Sequence, residues 1–106
     1  MVSTEHFTVA ILQARMSSSR LPGKVMMDIN GLPMIYWQIQ RILQSRRSND
    51  LVVATSIDET DSILSDYVTS LGVQVYRGSL ENVFGRFLDV ILMNTQFSTI
   101  VRLTGD

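Results

Sequence analysis

The order of apolar segments along the chain predicts an α/β fold, a Rossmann-like parallel sheet with helices on both faces. Three observations carry this. Short runs of β-forming apolar residues recur at Phe7–Leu12, Leu51–Ala54, Val73–Tyr76 and Thr99–Leu103. Between them lie segments whose apolar residues repeat at helical spacing. The connections are short, so strand and helix alternate in the β-α-β-α-β-α-β order that right-handed crossovers require.

Each element has its own signal. Phe7–Leu12 (FTVAIL) runs straight into the polar stretch Gln13–Lys24, which reads as a buried strand passing into a loop. Asn30-Gly31 marks a turn, and Pro33 suits the first position of a helix over residues 33–46, with Ile35, Ile39, Ile42 and Leu43 as its apolar face. Leu51–Ala54 is a second strand. Ile63, Leu64, Tyr67, Val68 and Leu71 form a second helical stripe, closed by Gly72 as a C-terminal cap residue. Val73–Tyr76 is a third strand. Asn82 caps a third helix with Val83, Phe84, Phe87, Leu88, Ile91 and Leu92 inward, and Thr99–Leu103 is the fourth strand. The expected sheet order is third, second, first, fourth. Ligands bind beyond the carboxyl ends of such strands, so the segments starting at Gln13, Thr55, Arg77 and Thr104 are expected to line one rim.

Composition bounds the function. A chain of 106 residues holds one domain, residues 1–106, with 45 % hydrophobic and 18 % charged residues, the balance of a globular protein. No apolar run approaches the roughly 20 residues that cross a bilayer. The N-terminus shows no export signal, and a cytoplasmic location is the expectation. With no cysteine there are no disulfides, thiolate metal sites or cysteine nucleophiles. A net charge of −1 argues against a nucleic-acid partner, so any functional positive charge must be local.

Such a concentration occurs at Gln13–Lys24. Arg15, Arg20 and Lys24 share this stretch with the hydroxyls of Ser17, Ser18 and Ser19. Phosphate oxygens call for these groups: hydroxyl and backbone N–H donors, arginine forks and a lysine point charge. A solvated serine-rich loop with incidental arginines is the alternative that composition leaves open. Neither the Walker spacing nor GxGxxG is present.

The stretch Ile11-Leu12-Gln13-Ala14-Arg15-Met16, continued by Ser19-Arg20-Leu21-Pro22-Gly23-Lys24-Val25, resembles the signature loop of the cytidylyltransferases. It is most similar to the branch of spore coat polysaccharide biosynthesis proteins, related to CMP-KDO and CMP-sialate synthetases. Further pieces follow in order: Gly31-Leu32-Pro33-Met34-Ile35, Val53-Ala54-Thr55-Ser56, Arg77-Gly78-Ser79 with Val83-Phe84-Gly85-Arg86-Phe87, and Val101-Arg102-Leu103-Thr104-Gly105-Asp106. Met26-Met27 and Leu32 depart mildly from the family pattern. The resemblance covers nearly the whole chain. It implies a fold of the nucleotide-diphospho-sugar transferase type and transfer of CMP from CTP to an acidic sugar with release of pyrophosphate, a step in polysaccharide precursor synthesis. It further implies nucleotide contacts from Gln13, Ala14, Arg15, Ser19, Arg20, Lys24, Thr55 and Arg77, with Arg15 and Lys24 the catalytic cations and Asp106 a ligand of Mg²⁺.

Several residues carry two readings. Asp106 is either a polar residue where the chain leaves the sheet or the metal ligand that the Thr-Gly-Asp context implies. Asp58 caps the second helix or touches the nucleotide, with capping the stronger reading. Arg86 is as readily a solvated helix arginine as a ligand group, and His6 has no assigned role. Family members are about twice this length, and the later half is expected to bring the sugar pocket, a second metal carboxylate and the contacts of a homodimer. On that basis the chain reads as the N-terminal half and as inactive alone. A non-catalytic nucleotide-binding fragment and a glycosyltransferase of the same fold are the alternatives; the latter usually carries Asp-x-Asp, absent here.

Overall fold

The computed structural model of the chain describes residues 8–17, 21–45, 50–93 and 99–104. The elements are β1 (Thr8–Gln13), the hairpin strands β2 (Asp28–Ile29) and β3 (Leu32–Pro33), α1 (Met34–Gln44), β4 (Asp50–Ser56), α2 (Ser62–Ser70), β5 (Gln74–Gly78), α3 (Val83–Met93) and β6 (Thr99–Thr104). Single 3₁₀ turns sit at Lys24–Met26 and Glu59–Asp61. The main sheet has the order β5-β4-β1-β6, and all three pairings are parallel, as expected.

Helices cover both faces of this sheet, which is why β1 and β4 are continuous apolar runs rather than alternating ones. Ala10 and Leu12 of β1, with Leu51 and Val53 of β4, meet Ile35 and Ile39 of α1 and Leu64 and Val68 of α2. On the opposite face Val9, Ile11, Val52 and Ala54 pack on Val90 of α3. The α2 helix ends in a Schellman arrangement: the Gly72 N–H donates to the Thr69 carbonyl at 2.9 Å and the Val73 N–H to that of Val68 at 3.4 Å.

The structure departs from the sequence reading in four places. The turn at Asn30-Gly31 is the loop of a small antiparallel hairpin, β2 against β3, with both residues at positive φ (52° and 89°) as a type I′ turn requires. Pro33 belongs to β3 and precedes α1 with ψ 148°, so the helix starts at Met34 instead of at the proline. Trp37 fastens hairpin to helix, its indole Nε1–H donating to the Ile29 carbonyl at 2.9 Å. In α1 and α2, Leu43 and Ile63 face solvent, because adjacent apolar residues cannot both point at the sheet and Ile42 and Leu64 already do.

The fourth departure matters for function. In α3, Phe84, Leu88 and Leu92 are exposed, and the inner face runs through Val83, Arg86, Phe87, Val90 and Ile91. Arg86 is therefore not a solvated arginine: it is 2 % exposed. Its Nη1 donates to the carbonyls of Ser79 and Leu80, binding α3 to the loop that follows β5. Space for its alkyl stem exists because residue 78 lacks a side chain. A Cβ there would lie 2.9 Å from Arg86 Cγ and 3.0 Å from Tyr76 Cε2.

Gly78→Ala is accordingly expected to lower stability by about 1–3 kcal/mol, the usual cost of overpacking a filled site. On solvent-facing α3, Leu92→Ala should change it by about 0.5 kcal/mol or less. Urea denaturation of the two variants compares them directly; equal midpoints would show that Arg86 is not held by this close approach.

Candidate nucleotide-binding site

β1, β4, β5 and β6 end at Gln13, Ser56, Gly78 and Thr104, side by side in the register Gln13 to Ala54, Gln13 to Thr104 and Ser56 to Gly78. These four ends share one rim of the sheet. Ala14 extends the ladder by one rung, its N–H donating to the Ala54 carbonyl at 3.1 Å, and is itself 3 % exposed. Gln13 is nearly buried; its Nε2 donates to the Val83 carbonyl at 3.2 Å, while its Oε1 has no hydrogen-bond partner among the described residues.

The loop beyond is closed on itself. The carbonyl of Met16 accepts from the Gly23 N–H at 2.7 Å, joining the start of the loop to its exit. Gly23 adopts the left-handed conformation, φ 78°, and leads into the 3₁₀ turn at Lys24, whose next residue Val25 is anchored in the core. Arg15 and Lys24 thus lie one residue outside the closure on either side, both half-buried. Ser19 and Arg20 fall outside the described residues, as does Asp106, two positions past Thr104.

At the end of β4, Thr55 is fully buried and its hydroxyl has no partner among the described residues. Asp58 is a cap, but of the 3₁₀ turn Glu59–Asp61 ahead of α2 instead of α2 itself, accepting from the Thr60 N–H at 3.0 Å and the Thr60 hydroxyl at 2.7 Å. Those two bonds hold its carboxyl below the ordinary carboxylate range. Arg77 turns toward the same segment: its Nε donates to the Ser56 carbonyl at 2.8 Å, and Nη2 to the Asp58 carbonyl at 2.9 Å and the Ser62 hydroxyl at 3.3 Å. These bonds make Arg77 a buttress of the β4–α2 connection.

Two charged groups at this rim were not assigned from sequence. Asp61 is fully buried, with Oδ1 accepting from the Met16 N–H at 2.6 Å and Oδ2 from the Ser56 hydroxyl. Its setting in Asp58-Glu59-Thr60-Asp61 reads as ordinary capping, and only the topology brings Met16 to it. Arg86 is the other. Burial pushes its guanidinium below the usual arginine value, the nearby positive charge of Arg15 pushes the same way, and Asp61 pushes it back. The guanidiniums of Arg15 and Arg86 therefore share one electrostatic neighbourhood with one buried carboxylate. Arg86 Nε has no hydrogen-bond partner among the described residues. In sequence its signal is a lone arginine at the inward spacing between Val83 and Val90.

Among the described residues no group of three or more Asp, Glu, His or Cys side chains could hold a cation. Both oxygens of Asp61 are already engaged. No helix among the described residues is long and apolar enough to cross a membrane.

Comparison with known proteins agrees with the geometry. The chain is 43 % identical over 100 residues to the spore coat polysaccharide biosynthesis protein SpsF of Bacillus subtilis, a match spanning 91 % of this chain and 41 % of that protein. It superposes on a cytidylyltransferase from Leptospira borgpetersenii with a TM-score of 0.87 and 31 % identity, over 96 % of this chain and 42 % of the other. A CMP:2-keto-3-deoxy-manno-octonic acid synthetase, solved with CTP, gives a TM-score of 0.73 at 31 % identity over 94 % and 40 %. The chain thus spans about two fifths of the length of these relatives. Residues 9–106 match the family model for cytidylyltransferases, and the chain belongs to that family of nucleotidyltransferases.

Proposed function

We propose that the chain forms the nucleotide-binding part of an enzyme that transfers CMP from CTP to an acidic sugar, supplying an activated precursor for polysaccharide synthesis. The observation that carries this reading is the closed loop at the carboxyl rim, Met16 to Gly23, flanked by Arg15 and Lys24. The CTP complex of the octonic acid synthetase supports both the nucleotide and an acidic acceptor.

In the proposed reaction a hydroxyl of the sugar attacks the α-phosphorus of CTP, a new P–O bond forms, and the bond to the β-phosphate oxygen breaks to release pyrophosphate. Little covalent chemistry falls to the protein in such a transfer; alignment and charge neutralisation do the catalysis. Arg15, Lys24 and Arg20 would offset the negative charge of the triphosphate, with Ser19 and the Ala14 segment as donors. Gln13 would meet the nucleoside side with its unpaired Oε1, Thr55 would back that side from its fully buried place at the end of β4, and Arg77 would steady the segment that borders it. Mg²⁺, held by Asp106 and the phosphates, would supply further charge neutralisation at the leaving group. The remaining length seen in the relatives would bring the acceptor pocket and the homodimer contacts, in a cytoplasmic enzyme.

Titration of CTP by calorimetry tests the reading. Binding is expected to weaken as salt rises, since partly exposed charges are screened over about 8 Å at physiological ionic strength. Arg15→Ala or Lys24→Ala should cost about 1.5–3 kcal/mol, the range for charge-assisted hydrogen bonds. Arg41→Ala, an exposed change in the last turn of α1, controls for bulk charge and should cost almost nothing. Equal losses at Arg15 and Arg41 would mean diffuse electrostatics and no phosphate site. With a panel of acidic sugars, pyrophosphate release by residues 1–106 alone should stay at the level of a protein-free control; turnover above it would place the acceptor site within this chain.

A further inference from the structure

The geometry points to Asp61 as the positioning residue of the phosphate loop, a group that touches no ligand yet sets nucleotide affinity through the backbone of Met16. The inference rests on the reading of that loop as a triphosphate site. Met16 is gripped at both of its peptide groups: its N–H by Asp61 Oδ1 at 2.6 Å and its carbonyl by the Gly23 N–H at 2.7 Å. The first grip fixes the loop to the body of the protein, and the second only fixes the loop to itself. Arg15 precedes Met16 and Lys24 follows Gly23, so a displacement of Met16 carries both cations with it.

Asp61 can bear this role because it is itself immobile. It is fully buried, its N–H donates to the Asp58 carbonyl at 2.9 Å, and its second oxygen accepts from Ser56, whose hydroxyl in turn accepts from the Asp58 N–H at 3.1 Å. Arg77 of β5 holds the carbonyls of Ser56 and Asp58 from the other side. An unbroken chain of hydrogen bonds therefore runs from β5, through the β4–α2 connection, to the loop after β1. Small displacements of charged positioning groups have large effects on binding and rate, because the ligand's charge is met only in one geometry.

Variants separate positioning from general stability. Asp61→Ala removes the acceptor for Met16. Ser56→Ala removes the neighbouring bond and leaves the Met16 bond intact. Asp61→Asn keeps an oxygen for the Met16 N–H and can donate to Ser56. With inorganic triphosphate and cytidine as separate probes, Asp61→Ala is expected to weaken triphosphate binding by about tenfold or more and leave cytidine binding unchanged. Asp61→Asn should stay within about threefold of the wild type for both probes, and Ser56→Ala, which loosens Asp61 without removing the Met16 bond, should lose less triphosphate affinity than Asp61→Ala. Equal triphosphate losses in Asp61→Ala and Ser56→Ala, or no rescue by Asp61→Asn, would overturn the inference while leaving the phosphate site standing. Failure of the wild-type chain to bind triphosphate at all would overturn the functional reading and this inference with it. Amide hydrogen exchange of the wild type gives a check that needs no variant: triphosphate should slow exchange at Met16 and Gly23, and binding without that protection would refute the role.

Discussion

β1 is hydrogen-bonded along its length to β4 on one edge and to β6 on the other, and helices close both of its faces. Val9 to Leu12 therefore have no route to solvent, and their peptide groups are satisfied only in this parallel register. Everything at the rim follows from that. A parallel arrangement sends every strand's carboxyl end the same way, so the four strand ends line up where β1 stops at Gln13. A one-residue slip of β1 against β4 would exchange the contents of the two cores and carry Arg15 away from Asp61.

The rim is held together by charge used inward as much as outward. Asp61 and Arg86 are both buried, and Arg77 turns into the backbone of its neighbour. None of the three need meet a ligand to matter. A buried guanidinium or carboxylate is tolerated when its hydrogen bonds are filled, and much of their capacity is spent on backbone groups of rim loops that no helix or strand satisfies. The residues free to meet solvent, Arg15 and Lys24, are those attached to the loop these buried groups support.

The strand order and the helices on both faces were legible because buried parallel strands leave continuous apolar runs such as Leu51–Ala54, and helices between them leave a different period. Gly72 and Asn82 announced their caps, and both lie where the sequence puts them. The face of α3 was not legible. Phe84, Leu88 and Leu92 make as good a stripe as Val83, Phe87 and Ile91, and hydrophobicity cannot choose between two stripes when the true inward position carries an arginine. The location of the proposed phosphate loop came from its cations and hydroxyls. Its anchor did not, since Asp61 lies 45 residues from Met16 and nothing local distinguishes it from a capping aspartate.

The pairing of β1 with β6 also dictates the order in which the molecule can come together. The two strands are the first and last described segments of the chain, whereas β4 and β5 are near neighbours in sequence. Emerging from a ribosome, β1 can find β4 and a helix long before its second edge has a partner. Until Thr99–Thr104 is synthesised, the most apolar strand in the sheet waits with one row of peptide groups open. Non-local closure of this kind is slow, because chain entropy must be given up before the contact rewards it. The assembled rim can take its final form only after that late step.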